Sequence, residues 1–165
     1  IVVDREAHAT ALRKMVADAR LRFKQYSCQL SIFPEGTLTR DPDLWPMRGK
    51  TGAVRLALET NVPVYPIAHW GSEMVLPQYG AKFRPGFWKP VRLTVGDEID
   101  LSAYRGKKLT PAEVHEATDI VMRRITELVS QLRGTVPPQQ LWDPASHGQT
   151  ETGNFKKNQD KKAKN

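Results

Sequence analysis

The sequence is poor in cysteine and contains no long hydrophobic run. Cys28 is the single cysteine among 165 residues, so no intramolecular disulfide can form and a reducing, cytosolic-side location is expected. A membrane-spanning helix needs about 20 consecutive apolar residues, and no apolar run approaches that length. The four histidines show no metal-ligand spacing, and with one cysteine this argues against a zinc site. We therefore predict that the protein holds no metal.

The chain also lacks an initiating methionine and a signal peptide. It opens on Ile1-Val2-Val3, which is typical of a strand already in progress. We expect the true N-terminus, with any membrane anchor or catalytic residue that it carries, to lie upstream of residue 1.

Positive charge is plentiful. The chain has 25 Lys and Arg against 18 Asp and Glu, a formal net charge of +7, which favours an anionic partner. Nucleic acid, a phosphate-bearing metabolite and an anionic membrane surface all satisfy that requirement. Acidic residues are interspersed throughout the folded part and no nucleic-acid motif is present, so a nucleic-acid partner is not expected.

Composition divides the chain into three zones. Residues 1–133 are predicted to form one folded domain, and residues 134–148 form a linker that contains Pro, Gln and Gly. Residues 149–165 carry five lysines and almost no apolar side chains, which predicts a disordered basic tail.

Strand and helix patterns alternate in the folded zone. Strands are predicted at residues 1–3, 29–33, 64–68 and 92–95, and helices at residues 6–24, 50–59 and 111–133. Thr110, Pro111 and Glu113 form a capping box at the start of the last helix, and Gly134 ends it. This order predicts an α/β fold with a mixed, largely parallel sheet flanked by helices.

Polar residues follow each of the first three predicted strands. They are Asp4-Arg5, then Pro-Glu-Gly-Thr at residues 34–37, then His69-Trp70-Gly71. Ligands of parallel sheets bind beyond the carboxyl ends of the strands, so these residues predict one binding edge.

The residue types at this edge suit a phosphate group. Arg5, Arg40, Arg48 and Lys50 supply cations, Gly36 lets the backbone approach a ligand, and Thr37 supplies a hydroxyl. Glu35 fits less well, because a carboxylate repels phosphate unless it holds an arginine or accepts a hydrogen bond from a substrate hydroxyl. A purely structural role, with Glu35 paired to Arg40 and Thr37 capping a turn, fits equally well.

A second cluster of interest occupies residues 79–89, where four aromatic and three cationic side chains alternate in an irregular segment. This composition suits a membrane headgroup zone or single-stranded nucleic acid. A loop whose rings pack into the core is the slightly favoured interpretation.

Four ordered stretches resemble the glycerolipid acyltransferases, specifically the 1-acylglycerol-3-phosphate acyltransferases of bacteria. They are an apolar run ending in Asp-Arg at residues 1–5, Phe-Pro-Glu-Gly-Thr at residues 33–37, Lys-x-Gly-Ala at residues 50–53, and Val-Pro-Val-x-Pro at residues 62–66. The resemblance covers residues 1–71, and the later segments are compatible with it but unspecific.

The resemblance implies a reaction and a set of partners. A fatty acyl group passes from acyl-CoA or acyl carrier protein, a co-substrate and not a resident cofactor, to the free hydroxyl of lysophosphatidic acid, which gives phosphatidic acid. Arg5 and residues 35–37 would bind the glycerol phosphate, and the protein would lie on the cytoplasmic face of the cell membrane. Glycerol-3-phosphate or another lysophospholipid remains an alternative acceptor. The oligomeric state is left open.

Two features depart from the family pattern. The family uses a His-x-x-x-x-Asp motif as general base and orienting acid. The residues five positions after His8, His69, His115 and His147 are Arg13, Met74, Ile120 and Thr152. We therefore expect no catalytic residue in this chain and no acyl transfer by residues 1–165 alone. In addition, Leu38 stands where many members carry an arginine, which makes Arg40 or Arg5 the alternative source of charge.

Two rival functions remain from the residues alone. A non-enzymatic module would bind anionic lipid through the basic aromatic segment and would not recognise lysophosphatidic acid. A nucleic-acid binder, suggested by charge only, would show tight and salt-sensitive binding to RNA or DNA and ranks last.

Overall fold

A computed structural model describes residues 8–26, 28–77 and 88–150. The elements in chain order are helix α1 (His8–Gln25), helix α2 (Gly52–Thr60), strand β1 (Ile67–Trp70), the short helix α3 (Ser72–Val75), strand β2 (Arg92–Val95) and helix α4 (Pro111–Arg133), with 3₁₀ turns at Ser102–Tyr104 and Ala145–His147. The described residues combine helices with a small sheet, against which α4 packs, and this confirms the predicted α/β class. The first predicted strand lies outside the described residues.

Helix α4 begins and ends where its sequence predicts. The Thr110 hydroxyl accepts the Glu113 N–H, and the Glu113 carboxylate accepts the Thr110 N–H at 2.8 Å. That backbone hydrogen bond is the main reason why the pKa of Glu113 falls to about 2. Gly134 ends the helix in the left-handed region with φ of 66°. The cap satisfies backbone N–H groups that the first helical turn leaves unpaired.

Removing this cap provides a direct check on the helix boundary. Thr110→Ala deletes the hydroxyl that accepts the Glu113 N–H, and we expect it to lower the free energy of unfolding by about 1 kcal/mol. Thr110→Ser keeps the hydroxyl and serves as the matched control, with a loss of only a few tenths of a kcal/mol. Urea unfolding followed by circular dichroism measures both, and an equal loss in the two variants would contradict the cap.

The buried face of α4 organises the core. Ala117 and Val121 pack with Val54 of α2. They also pack with Ile99 and Leu101, which lie in the connection between β2 and α4. A second cluster joins α1 to α2 through Val16, Ala19 and Leu56. The predicted helices at residues 6–24 and 50–59 are confirmed within a few residues, because their apolar spacing matches the faces that pack in these clusters.

The sheet consists of β1 and β2, which pair antiparallel with Ile67 opposite Val95 and His69 opposite Leu93. The predicted strand at residues 92–95 is confirmed. The strand predicted at residues 64–68 begins three residues later, at Ile67. Pro66 explains the shift, because proline has no N–H to donate to a ladder.

The prediction of a strand at residues 29–33 was wrong, since these residues are irregular. Ile32 and Phe33 are exposed, Phe33 by 75%, and the Phe33 carbonyl accepts a turn hydrogen bond from Gly36 N–H. Apolar, β-prone residues form a strand only where a neighbouring strand supplies hydrogen bonds. Among the described residues the ladder is antiparallel, and the one parallel pairing is an isolated bridge between Met47 and Trp142.

The helices in the described part of the chain are too short or too polar to cross a bilayer, since none of them combines the required length with the required apolar character.

Candidate functional site

A large open groove is bordered by the sheet, helix α4 and the irregular residues 29–39. Its volume is about 1680 Å³. Residues 29–39 form one wall and residues 62–70 form another, so the Pro-Glu-Gly-Thr loop and the end of β1 face the same space. Much of the lining is apolar and includes Leu30, Ile32, Phe33, Tyr65, Ile67, Leu93 and Val95. Such a groove has the chemistry to hold an apolar chain beside a polar loop.

The polar loop is held in a tight turn beside Lys50. Gly36 has φ of +70°, a conformation that glycine adopts without strain, and its N–H donates to the Phe33 carbonyl at 3.1 Å. The Lys50 N–H donates to the Pro34 carbonyl at 2.8 Å. A Cβ on Gly36 would lie 3.5 Å from Lys50 Cδ, so the lysine side chain runs along the glycine backbone.

Glu35 connects this loop to the backbone of Met47. Its Oε2 accepts the Met47 N–H at 3.0 Å. Burial raises the pKa of Glu35 to about 7, an effect that the Met47 hydrogen bond only partly offsets. The carboxyl is therefore partly protonated at neutral pH. Partial protonation weakens the repulsion between Glu35 and a phosphate. That repulsion was the reason why Glu35 fitted a phosphate site poorly by residue type alone.

A second, much smaller cavity is also lined by Glu35, and we call it the notch. Its volume is about 30 Å³, and its lining comprises Glu35, Met47, Arg48, Gly49, Lys50 and Pro144. Two cationic residues and one carboxyl therefore border a single small space. That combination can bind an anionic oxygen while Glu35 is protonated.

The predicted site residues differ in where they lie. Glu35, Gly36 and Thr37 line the groove, and Lys50 lines the notch. Arg40 lines neither cavity, is 6% exposed, and donates its backbone N–H to the Met47 sulfur. Its role as a phosphate ligand stays a prediction. Arg5 lies outside the described residues, as do residues 79–87 of the basic aromatic segment and the tail from residue 151.

Two components of the site were missed from the sequence. One is the backbone of Met47, whose N–H holds Glu35. The other is Pro144, which borders the notch from within the predicted linker. A signal for the second was present, since Trp142 is a large aromatic residue in an otherwise polar stretch. Across the described ranges, no group of three or more His, Cys, Asp or Glu side chains is arranged to hold a metal ion.

Residues 1–70 match the family model described as Acyltransferase. The matched segment contains the Pro-Glu-Gly-Thr loop, Met47, Lys50 and most of the groove wall. Pro144 and helix α4 lie outside the match.

Two curated plant proteins named 1-acyl-sn-glycerol-3-phosphate acyltransferase are similar to the chain. The Limnanthes douglasii protein is 33% identical over 85 residues, which are 52% of this chain and 29% of that protein. The Cocos nucifera protein is 26% identical over 107 residues, which are 62% of this chain and 34% of that protein. The matches therefore span about a third of the length of these relatives.

A solved structure is similar as well. The 1-acyl-sn-glycerophosphate (LPA) acyltransferase PlsC from Thermotoga maritima superposes with a TM-score of 0.49 at 27% identity, over 73% of this chain and 44% of that one.

Proposed function

We propose that the gene product containing this chain transfers a fatty acyl group from a thioester donor to the free hydroxyl of 1-acyl-glycerol-3-phosphate, giving phosphatidic acid. The thioester donor is acyl-CoA or acyl carrier protein. The observation that carries the proposal is that Glu35 lines both an apolar groove and a notch bordered by two cations. The names of the two plant relatives, which match part of the chain, support the same reaction.

In this proposal the acceptor is divided between the two cavities. The acyl chain of the acceptor would lie in the apolar groove, where burial removes it from water. The glycerol phosphate would lie against Gly36 and Lys50, where the Lys50 ammonium can pair with its oxygens. Protonated Glu35 would donate to a phosphate oxygen, and Arg5 and Arg40 would supply further positive charge.

The chemical step is an acyl transfer from sulfur to oxygen. The acceptor hydroxyl oxygen forms a bond to the thioester carbonyl carbon, and the carbon–sulfur bond breaks. The hydroxyl proton passes to a general base, and the departing thiolate takes up a proton. We assign no residue of this chain as that base, because no histidine in it is followed by aspartate at the family spacing.

We also propose that the protein acts at the cytoplasmic face of the cell membrane, where such lipids reside. Trp88 is 97% exposed and is followed by Lys89, a pair suited to the headgroup zone. The net charge of +7 supports attraction to anionic lipid.

The reaction is tested by assaying the gene product with lysophosphatidic acid, glycerol-3-phosphate and a neutral lysophospholipid, each with acyl-CoA and with acyl carrier protein. We expect acylation of lysophosphatidic acid. Transfer only to another acceptor would move the assignment to that substrate within the same family. Binding to anionic vesicles without acylation of any acceptor would favour the non-enzymatic lipid-binding module.

Lys50→Ala tests the notch. We expect the KM for lysophosphatidic acid to rise by about tenfold, which corresponds to about 1.4 kcal/mol of lost binding. Lys108→Ala removes an exposed lysine that lines neither cavity, so its KM should match the parent protein. Equal KM values for both variants would exclude Lys50 from the phosphate site.

A further inference from the structure

Residues 142–149 form a strap that lies against the backbone of residues 47–50. The Arg48 N–H donates to the Trp142 carbonyl at 2.9 Å, and Met47 and Trp142 form a parallel bridge. Arg48 also pairs with the Asp143 carboxylate at 3.4 Å. The strap therefore reaches the segment next to Glu35 from outside the acyltransferase match at residues 1–70.

The strap has internal structure of its own. The Trp142 ring stacks on the His147 ring with centroids 3.6 Å apart, and its Nε1–H donates to the Gln149 side chain at 3.1 Å. The 3₁₀ turn Ala145–His147 lies between these residues. These contacts close the strap on itself, so Trp142 can hold the strap in one shape against residues 47–50.

The segment that the strap contacts is packed tightly on its other side as well. A Cβ at Gly49 would come within 2.7 Å of the Met122 side chain and 3.1 Å of Thr118 in α4. The backbone of residues 47–50 thus lies between α4 and the strap. Its Met47 N–H holds Glu35, and its Lys50 N–H holds the Pro34 carbonyl.

We propose that the strap positions Glu35 and Lys50 for the phosphate of the acceptor, with Trp142 as the positioning residue and Pro144 as one wall of the notch. The inference rests on the proposed function, since it gives the strap a role in that same site. In this arrangement the phosphate binds tightly only when residues 47–50 hold Glu35 through the Met47 N–H and also place the Lys50 side chain at the notch. Small displacements of such groups weaken binding strongly.

The test compares Trp142→Ala with Trp142→Phe in the complete gene product. Alanine removes the stack on His147, and phenylalanine keeps a ring there. We expect alanine to raise the KM for lysophosphatidic acid by about tenfold while kcat changes by less than about threefold. Phenylalanine should restore most of the affinity. Thermal unfolding of each variant separates this effect from a loss of fold, which would lower kcat by reducing the active fraction.

A second variant covers the case in which Trp142→Ala does not fold. Asp143→Ala combined with Pro144→Ala leaves the aromatic stack, removes the pair with Arg48 and opens the notch, and it should raise KM by about threefold. Unchanged KM in every folded variant, with a parent protein that acylates lysophosphatidic acid, would overturn the strap proposal alone. A parent protein that does not acylate lysophosphatidic acid would overturn the proposed function on which it rests.

Discussion

Replacing Glu35 by glutamine is expected to stabilise the protein at pH 8 by more than it does at pH 5. Glutamine has nearly the same shape and can still accept the Met47 N–H, but it cannot ionise. The rise of the Glu35 pKa from 4.5 to about 7 corresponds to about 3 kcal/mol for a carboxyl fully withdrawn from water. Because Glu35 is only half-buried, we expect the stability difference between variant and parent to grow by about 2 kcal/mol from pH 5 to pH 8.

The direction of this pH dependence follows from which state of the protein, folded or unfolded, holds the Glu35 proton. Between pH 4.5 and about 7 the folded protein keeps Glu35 protonated, while the unfolded chain releases the proton. The unfolded state then binds fewer protons, so the free energy of unfolding falls as pH rises through this window. The stabilisation is fully present below pH 4.5 and is lost above about pH 7.

Urea unfolding of the parent and variant at pH 5, 6, 7 and 8 measures this difference. Glu59→Gln is the matched control, because it removes one negative charge from an exposed side chain. A pH dependence for the Glu35 variant no different from that of the Glu59 variant would contradict a raised pKa at Glu35.

The protonation state of Glu35 should also affect the binding of lysophosphatidic acid. If neutral Glu35 faces a phosphate, ionisation above pH 7 places two negative charges side by side. The KM for lysophosphatidic acid should therefore rise with pH through about 7 in the parent protein. The Glu35→Gln variant should lack that rise.

Replacing Gly71 by alanine is expected to destabilise the protein by about 3 kcal/mol or more. Gly71 follows β1 with φ of +101°, and a Cβ there would lie 2.2 Å from the Pro90 carbonyl oxygen. Because the clashing atom belongs to the backbone, no side-chain rotation relieves the contact. The left-handed backbone adds a cost of its own for any residue with a Cβ.

Gly106→Ala separates these two costs. Gly106 has φ of +71°, but a Cβ at this position would have no neighbouring heavy atom within 4 Å, so only the backbone cost of about 1 kcal/mol is expected. Thermal or urea unfolding of both variants gives the comparison. An equal loss at the two positions would show that the contact with Pro90 is not a constraint.

Local sequence signals predicted helix α4 well because its determinants are neighbours in the chain. The capping box needs Thr110 and Glu113, and the termination needs Gly134. The apolar spacing of the helix then specifies which face packs. No distant residue is required to form these contacts, so the sequence predicted both ends correctly.

The strand at residues 29–33 shows the opposite case. Leu30, Ile32 and Phe33 have high β propensity, but a strand is defined by hydrogen bonds to another strand. That partner is not a property of residues 29–33 themselves. The start of β1 is a different case, since Pro66 is visible in the sequence and its missing N–H moved the start of the strand by three residues.

The loop at residues 33–37 was identifiable from sequence as a polar turn beside a ligand site. By itself the sequence determined the residue types of that site, the capped helix α4 and the basic charge. Only the tertiary structure decided that Glu35 accepts the Met47 N–H, that Lys50 runs along Gly36, and that residues 142–149 lie behind them. The reason is physical: burial and hydrogen bonding between residues far apart in the chain set the pKa of Glu35, and local sequence encodes neither.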